Sequence, residues 1–172
     1  MKLNIKETAV FALLGALMYS TKIIMEILPN VHLLGVFTVA ITAVYRRKAL
    51  YPIYVYVFIN GFFSGFAIWW IPYLYIWAVL WGAVMLLPKN IPTSLRPIVY
   101  MTVCALHGFL FGTLYAPAQA LLFGLDFKGM IAWIAAGLPW DFIHGVSNFV
   151  CGTLICPIIA VLKHSEKYIT RN

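Results

Sequence analysis

Ten of the twelve Lys and Arg residues in this 172-residue chain fall at four places between long apolar runs. These are Lys2/Lys6, Arg46-Arg47-Lys48, Lys89/Arg96 and Lys163/Lys167/Arg171. The turns that alternate with them, at Pro29-Asn30, at Trp69-Trp70-Ile71-Pro72-Tyr73 and at Asp126-Phe127-Lys128, are nearly free of cations. Basic residues on every second turn are the positive-inside pattern of a chain that crosses a membrane an even number of times. The expected fold is therefore an all-α integral membrane protein, a bundle of six transmembrane helices with both termini cytoplasmic.

Composition points the same way. The chain is 63% hydrophobic and 10% charged, against about a quarter charged residues in soluble domains. Its net charge of +7 is explained by orientation and by attraction to anionic lipid at the inner leaflet, without invoking nucleic acid. Cys104, Cys151 and Cys156 lie inside apolar runs with no CxxC or CxxH spacing. They read as packing residues, with no zinc site or disulfide scaffold. The first apolar segment lacks a small-x-small cleavage site and is expected to be a retained helix.

The periodicity predicts one domain, residues 1–172, with helices over 8–28, 32–46, 49–70, 72–88, 96–124 and 140–163. Runs of this length exceed the roughly ten-residue strands of a membrane barrel. Leu138-Pro139-Trp140 is expected to cut off a short outer helix, 130–137, and Ala116-Pro117 to end the fifth crossing, because proline breaks the helical hydrogen-bond ladder.

Asp141, His144 and Asn148 follow i, i+3, i+7 spacing and share a sector of about 60° at 100° per residue. An acid in hydrocarbon costs roughly 2.5–3.5 kcal/mol on insertion scales, so this stripe must face the bundle interior or a wet cavity. Gly145 and Gly152 on the same stripe leave room beside it. The alternative role for the stripe is a hydrogen-bonded cluster that ties helices together. A second stripe on the first helix holds Gly15, Tyr19, Lys22 and Glu26, the last two spaced for an ion pair, with Asn30 and His32 in the turn that follows. Trp69, Trp70, Tyr73 and Trp77 form the densest aromatic cluster. Such rings gather at membrane interfaces, and they also make walls that stack a planar ligand. Asn60 and His107 read as hydrogen-bonded bundle residues. Finally, Ala9, Ala12, Ala16 and Ser20 form a small-residue stripe of the kind that lets a second helix approach closely.

The chain resembles the substrate-binding S-component of energy-coupling factor (ECF) transporters. The resemblance rests on the six-helix plan with both termini inside, on Ala12-x-x-x-Ala16, and on the segments Pro29 to Leu34, Trp69 to Tyr73 and Gly137 to Gly145. It implies a binder of a vitamin or related micronutrient in a bacterial plasma membrane, with its ligand site near the outer face. It also implies that Ala9, Ala12 and Ala16 dock on a transmembrane scaffold subunit joined to two cytoplasmic ATPases. The chain has no G-x-x-x-x-G-K-[ST] loop, so ATP and Mg belong to those partners, and this chain is expected to be neither an enzyme nor a holder of a cofactor or metal. The expected ligand-binding residues are Asp141, His144, Asn148, Trp69, Trp70, Tyr73, Trp77, Glu26, Asn30 and His32. Aromatic walls with one acid, one imidazole and one amide suit a heteroaromatic molecule such as a pyridine, pyrimidine or purine-like precursor, with pantothenate and a corrinoid left open. Two rival classes stand beside this one: a small intramembrane enzyme using Asp141 and His144 as acid and base, and an assembly subunit that binds no ligand.

Overall fold

Asn4 starts the first helix. Its side chain accepts from the Glu7 amide at 2.7 Å, while the Glu7 carboxylate accepts from the Asn4 amide at 3.1 Å. This reciprocal capping box satisfies two amides that would otherwise lack partners. A computed structural model describes residues 3–169; Lys2 and Arg171 of the basic clusters lie outside them. From this cap the chain forms α1 (Ile5–Met25), α2 (Leu34–Tyr45), α3 (Leu50–Ser64), α4 (Tyr73–Leu86), α5 (Arg96–Phe109), α6 (Phe111–Phe123), α7 (Phe127–Cys151) and α8 (Ile155–Ile169). Short 3-10 turns join α2 to α3, precede α4 and join α7 to α8. Among the described residues there is no strand.

Among the described residues eight α-helices replace the six expected, and the differences have local causes. The expected 96–124 helix divides at Leu110, not at Pro117, which sits inside α6. At that break both carboxylate oxygens of Asp141 accept from the Gly112 amide, at 2.9 and 3.0 Å. Pro139 likewise sits inside α7, so no separate 130–137 helix exists. The position is exposed, and the helix runs on because its other face is packed against α5 and α6. The interruption comes at Gly152 instead, where an added Cβ would stand 2.9 Å from Met101 Cγ of α5.

Among the described residues four segments are long and apolar enough to cross a membrane: Ile5–Met25, Ile68–Leu86, Arg96–Phe123 and Phe127–Tyr168. The expected crossings at 32–46 and 49–70 are not among them. Helices α2 and α3 have 12 and 15 residues and span about 18 and 22 Å at 1.5 Å per residue, short of the roughly 30 Å hydrocarbon layer. The central position belongs to α2. Val36, Val39, Ala40 and Ile41 are fully buried, with α4, α5, α8 and α1 around them. The outer faces are apolar too: Leu13, Ile24, Phe62, Leu121, Phe127 and Val150 are all exposed. Soluble monomers rarely present apolar surface on this scale, whereas lipid tails solvate it.

The basic turns converge at one end. Lys48 bonds the Glu7 carboxylate at the start of α1. Arg46 takes φ of 52°, an uncommon conformation for a residue with a Cβ, and α4 holds it there. Its guanidinium donates to the Met85 carbonyl at 2.9 Å, and the Trp81 indole donates to the Arg46 carbonyl at 3.0 Å. Lys89, Arg96 and Lys163 line one groove at the same end.

Candidate ligand site

At the opposite end the chain leaves α1 and crosses the bundle through Leu28, Pro29 and Asn30. Asn30 takes φ of 59°, the left-handed region that asparagine tolerates better than most residues. Its carbonyl accepts from Ser147 Oγ of α7 at 3.0 Å. This staple presses the turn onto α7 and brings His32 against His144, ring centroids 4.7 Å apart and nearly perpendicular.

Beneath the turn lies a cavity of about 180 Å³, with Lys22 and Glu26 on the α1 side, Asn30 and His32 from the turn, Tyr73 from α4, Phe111 from α6 and His144 from α7. Phe111 lies 4.9 Å from the His144 ring. Behind this wall Trp77 stacks on Tyr73 at 6.0 Å and packs against His107 at 5.7 Å. Lys22 and Glu26 form an ion pair at 3.4 Å, with the Glu26 side chain 62% exposed, so one charge of each sign stands at the rim.

Four ring nitrogens in this cluster are buried without a hydrogen-bond partner: His32 Nδ1, Trp77 Nε1, His107 Nδ1 and His144 Nε2. His107 Nε2 lies 3.1 Å from the Ile76 carbonyl, which can only accept, so that nitrogen carries the proton and Nδ1 is left an acceptor. Each unsatisfied buried group costs about 1–3 kcal/mol, and native proteins contain only a few per hundred residues. Other buried side chains, Thr38 and Asn60 among them, also lack a partner, but these four fall together on adjoining rings beside the cavity. In size, the cavity resembles the roughly 150 Å³ hollow that holds a benzene molecule. A single planar ring carrying hydrogen-bond donors and acceptors fits it.

No known protein family, characterised protein or solved structure matches the chain. The site therefore stands on its own geometry.

Of the residues singled out from the sequence, Glu26, Asn30, His32, Tyr73 and His144 line the cavity, with Trp77 directly behind. Four others are not brought there. Asp141 is occupied by the Gly112 amide. Asn148, fully buried, donates to the Cys104 carbonyl at 3.1 Å. Trp70 donates to the Val57 carbonyl at 2.8 Å, and the Trp69 carbonyl accepts from the Tyr115 hydroxyl at 2.8 Å. These four tie helices together. Sequence reading missed Phe111 and Met25, which sit in apolar runs with nothing to distinguish them, and treated His107 as bundle only. Among the described residues no group of three or more His, Cys, Asp or Glu side chains is placed to hold a metal ion.

The division of labour on α7 has a direct test. Asp141→Asn removes the charge that faces the start of α6, where a carboxylate is favoured by up to about 2 kcal/mol. Thermal unfolding in detergent should shift down while ligand affinity stays unchanged. Weakened binding with unaltered stability would return Asp141 to the ligand site.

Proposed function

We propose that this chain is the substrate-binding subunit of an ECF-type importer, taking a single-ring, vitamin-related heteroaromatic molecule at the outer face of a bacterial plasma membrane. The observation that carries this reading is a cavity of about 180 Å³ lined by the His32 and His144 rings, each with a ring nitrogen that lacks a hydrogen-bond partner. A heteroaromatic ring bound there would stack on Phe111 and Tyr73 beside the His32 and His144 rings, with Trp77 and His107 backing the wall. Orientation follows from the basic turns: they converge at the end remote from the cavity, and the positive-inside rule places that end in the cytoplasm. Both termini then lie inside. In this arrangement α2 and α3 complete six crossings as short segments, α2 shielded from lipid by its neighbours.

The small-residue stripe supports the same reading. Helix α1 packs into the bundle through Glu7, Phe11, Gly15 and Met18, leaving Ala9, Ala12 and Ala16 exposed on the other side. Close helix approach through such residues is how membrane helices associate, and a scaffold subunit linked to two ATPases is the partner proposed. An acid–base role for Asp141 and His144 has less support. Both Asp141 oxygens meet the Gly112 amide, and no hydrogen bond joins the carboxylate to His144 among the described residues.

Two experiments test the proposal. Vesicles holding the chain with its scaffold and ATPases should accumulate labelled ligand only when ATP is present, and vesicles lacking the chain should not. Ala12→Trp with Ala16→Trp should abolish copurification of the scaffold while ligand binding by the isolated chain persists. An intact complex in that variant would remove α1 from the docking surface.

A further inference from the structure

The groove at the basic end is unrelated to the ligand cavity and has chemistry of its own. It measures about 380 Å³ and lies between α2, α5, α8 and the 87–95 connection. Three cations line it, Lys89 and Arg96 from either side of that connection and Lys163 from α8. The Lys22–Glu26 and Lys48–Glu7 ion pairs lie elsewhere and involve none of them. Three like charges around one hollow repel one another, and no carboxylate is among the side chains that line it, so an anion bound there would balance them.

We propose that this groove binds the phosphate headgroup of an anionic phospholipid. Arg96 is already oriented: its Nε donates to the Ile91 carbonyl at 2.9 Å, which leaves the terminal nitrogens of a planar fork suited to phosphate oxygens. Lys89 and Lys163 add point charges, and Thr93 a hydroxyl. Apolar residues line the groove beside the cations, Pro97 and Ile159 among them, and the neighbouring Leu95 and Ile98 are exposed. A cationic mouth beside an apolar wall and outward-facing aliphatic side chains matches a headgroup with its acyl chains. A free phosphate would use only the mouth. Basic pockets between membrane helices on the cytoplasmic side recognise anionic headgroups in this way.

The test is native mass spectrometry of the full chain in micelles doped with phosphatidylglycerol and phosphatidylcholine in equal amounts. The protein should retain phosphatidylglycerol preferentially. K89Q/R96Q/K163Q should lose about fivefold of that preference per cation, roughly a hundredfold in all. R47Q/K128Q/K167Q, which removes the same charge elsewhere, should keep it, and so should the charge-retaining K89R/K163R, which separates loss of charge from loss of fold. Equal losses in the two glutamine variants, or loss in the arginine variant, would overturn the proposal. Inorganic phosphate at the lipid's own concentration should leave the lipid bound; displacement would assign the groove to a soluble phosphoanion and overturn the lipid assignment.

Discussion

Replacing His32 and His144 by leucine together should cost about a hundredfold or more in ligand affinity and nothing in stability. Each ring lines the cavity and holds a buried nitrogen with no protein partner, and a ligand hydrogen bond to a group of this kind is worth about 1 kcal/mol, more when its loss leaves the ligand atom unsatisfied. Two such losses, with the edge-to-face contact between the rings and a bound planar molecule at about 0.5–1.5 kcal/mol, reach the hundredfold range at 1.4 kcal/mol per decade. Stability should hold or rise, because leucine removes the burden of burying unpaired polar atoms. Titration calorimetry and thermal unfolding on the same double variant read both quantities. Falling stability with unchanged affinity would make the two rings structural.

Gly108→Val should be strongly destabilising. A Cβ at Gly108 would lie 2.9 Å from the Gly145 Cα and 2.8 Å from Asn148 Nδ2. The first of these is backbone, so the collision is relieved only by moving α5 away from α7. That movement also strains the Asn148 hydrogen bond to Cys104 and the Asp141 contact with Gly112. Overpacking costs about 1–3 kcal/mol and a lost buried hydrogen bond about 1–3 kcal/mol more. The unfolding midpoint in detergent should fall by roughly 4–24 °C at 2–4 °C per kcal/mol. Gly82→Ala is the matched control. No heavy atom lies within 4 Å of an added Cβ there, and alanine suits a helix interior better than glycine by about 1 kcal/mol. A Gly108→Val protein as stable as the Gly82→Ala protein would contradict the close α5–α7 seam.

The polar stripe on α7 shows what sequence reveals about such a site and what it withholds. Spacing alone put Asp141, His144 and Asn148 on one face, and all three are buried. Spacing could not divide their roles. The partner of Asp141 is a backbone amide 29 residues away, present only because the chain breaks at Leu110, and no side-chain pattern marks that break. Proline misled for a related reason. Pro117 and Pro139 each remove one amide, but packing on neighbouring helices holds the segments straight enough to continue, so the interruptions fall at Leu110 and Gly152 instead. The alternation of basic and neutral turns was the most legible feature, since charge is costly to bury wherever the chain runs. Helix lengths were less so, because a central helix such as α2 is surrounded by protein and need not match the thickness of a bilayer.

The central claim is that the hollow under the 26–32 turn holds one small ring. Native mass spectrometry of the chain purified gently from its own membrane addresses it most directly. The expected result is one heteroaromatic molecule retained per chain, absent from the His32→Leu/His144→Leu protein. A chain that carries nothing through purification, and that binds no member of a pyridine and pyrimidine panel added back to it, would contradict the account.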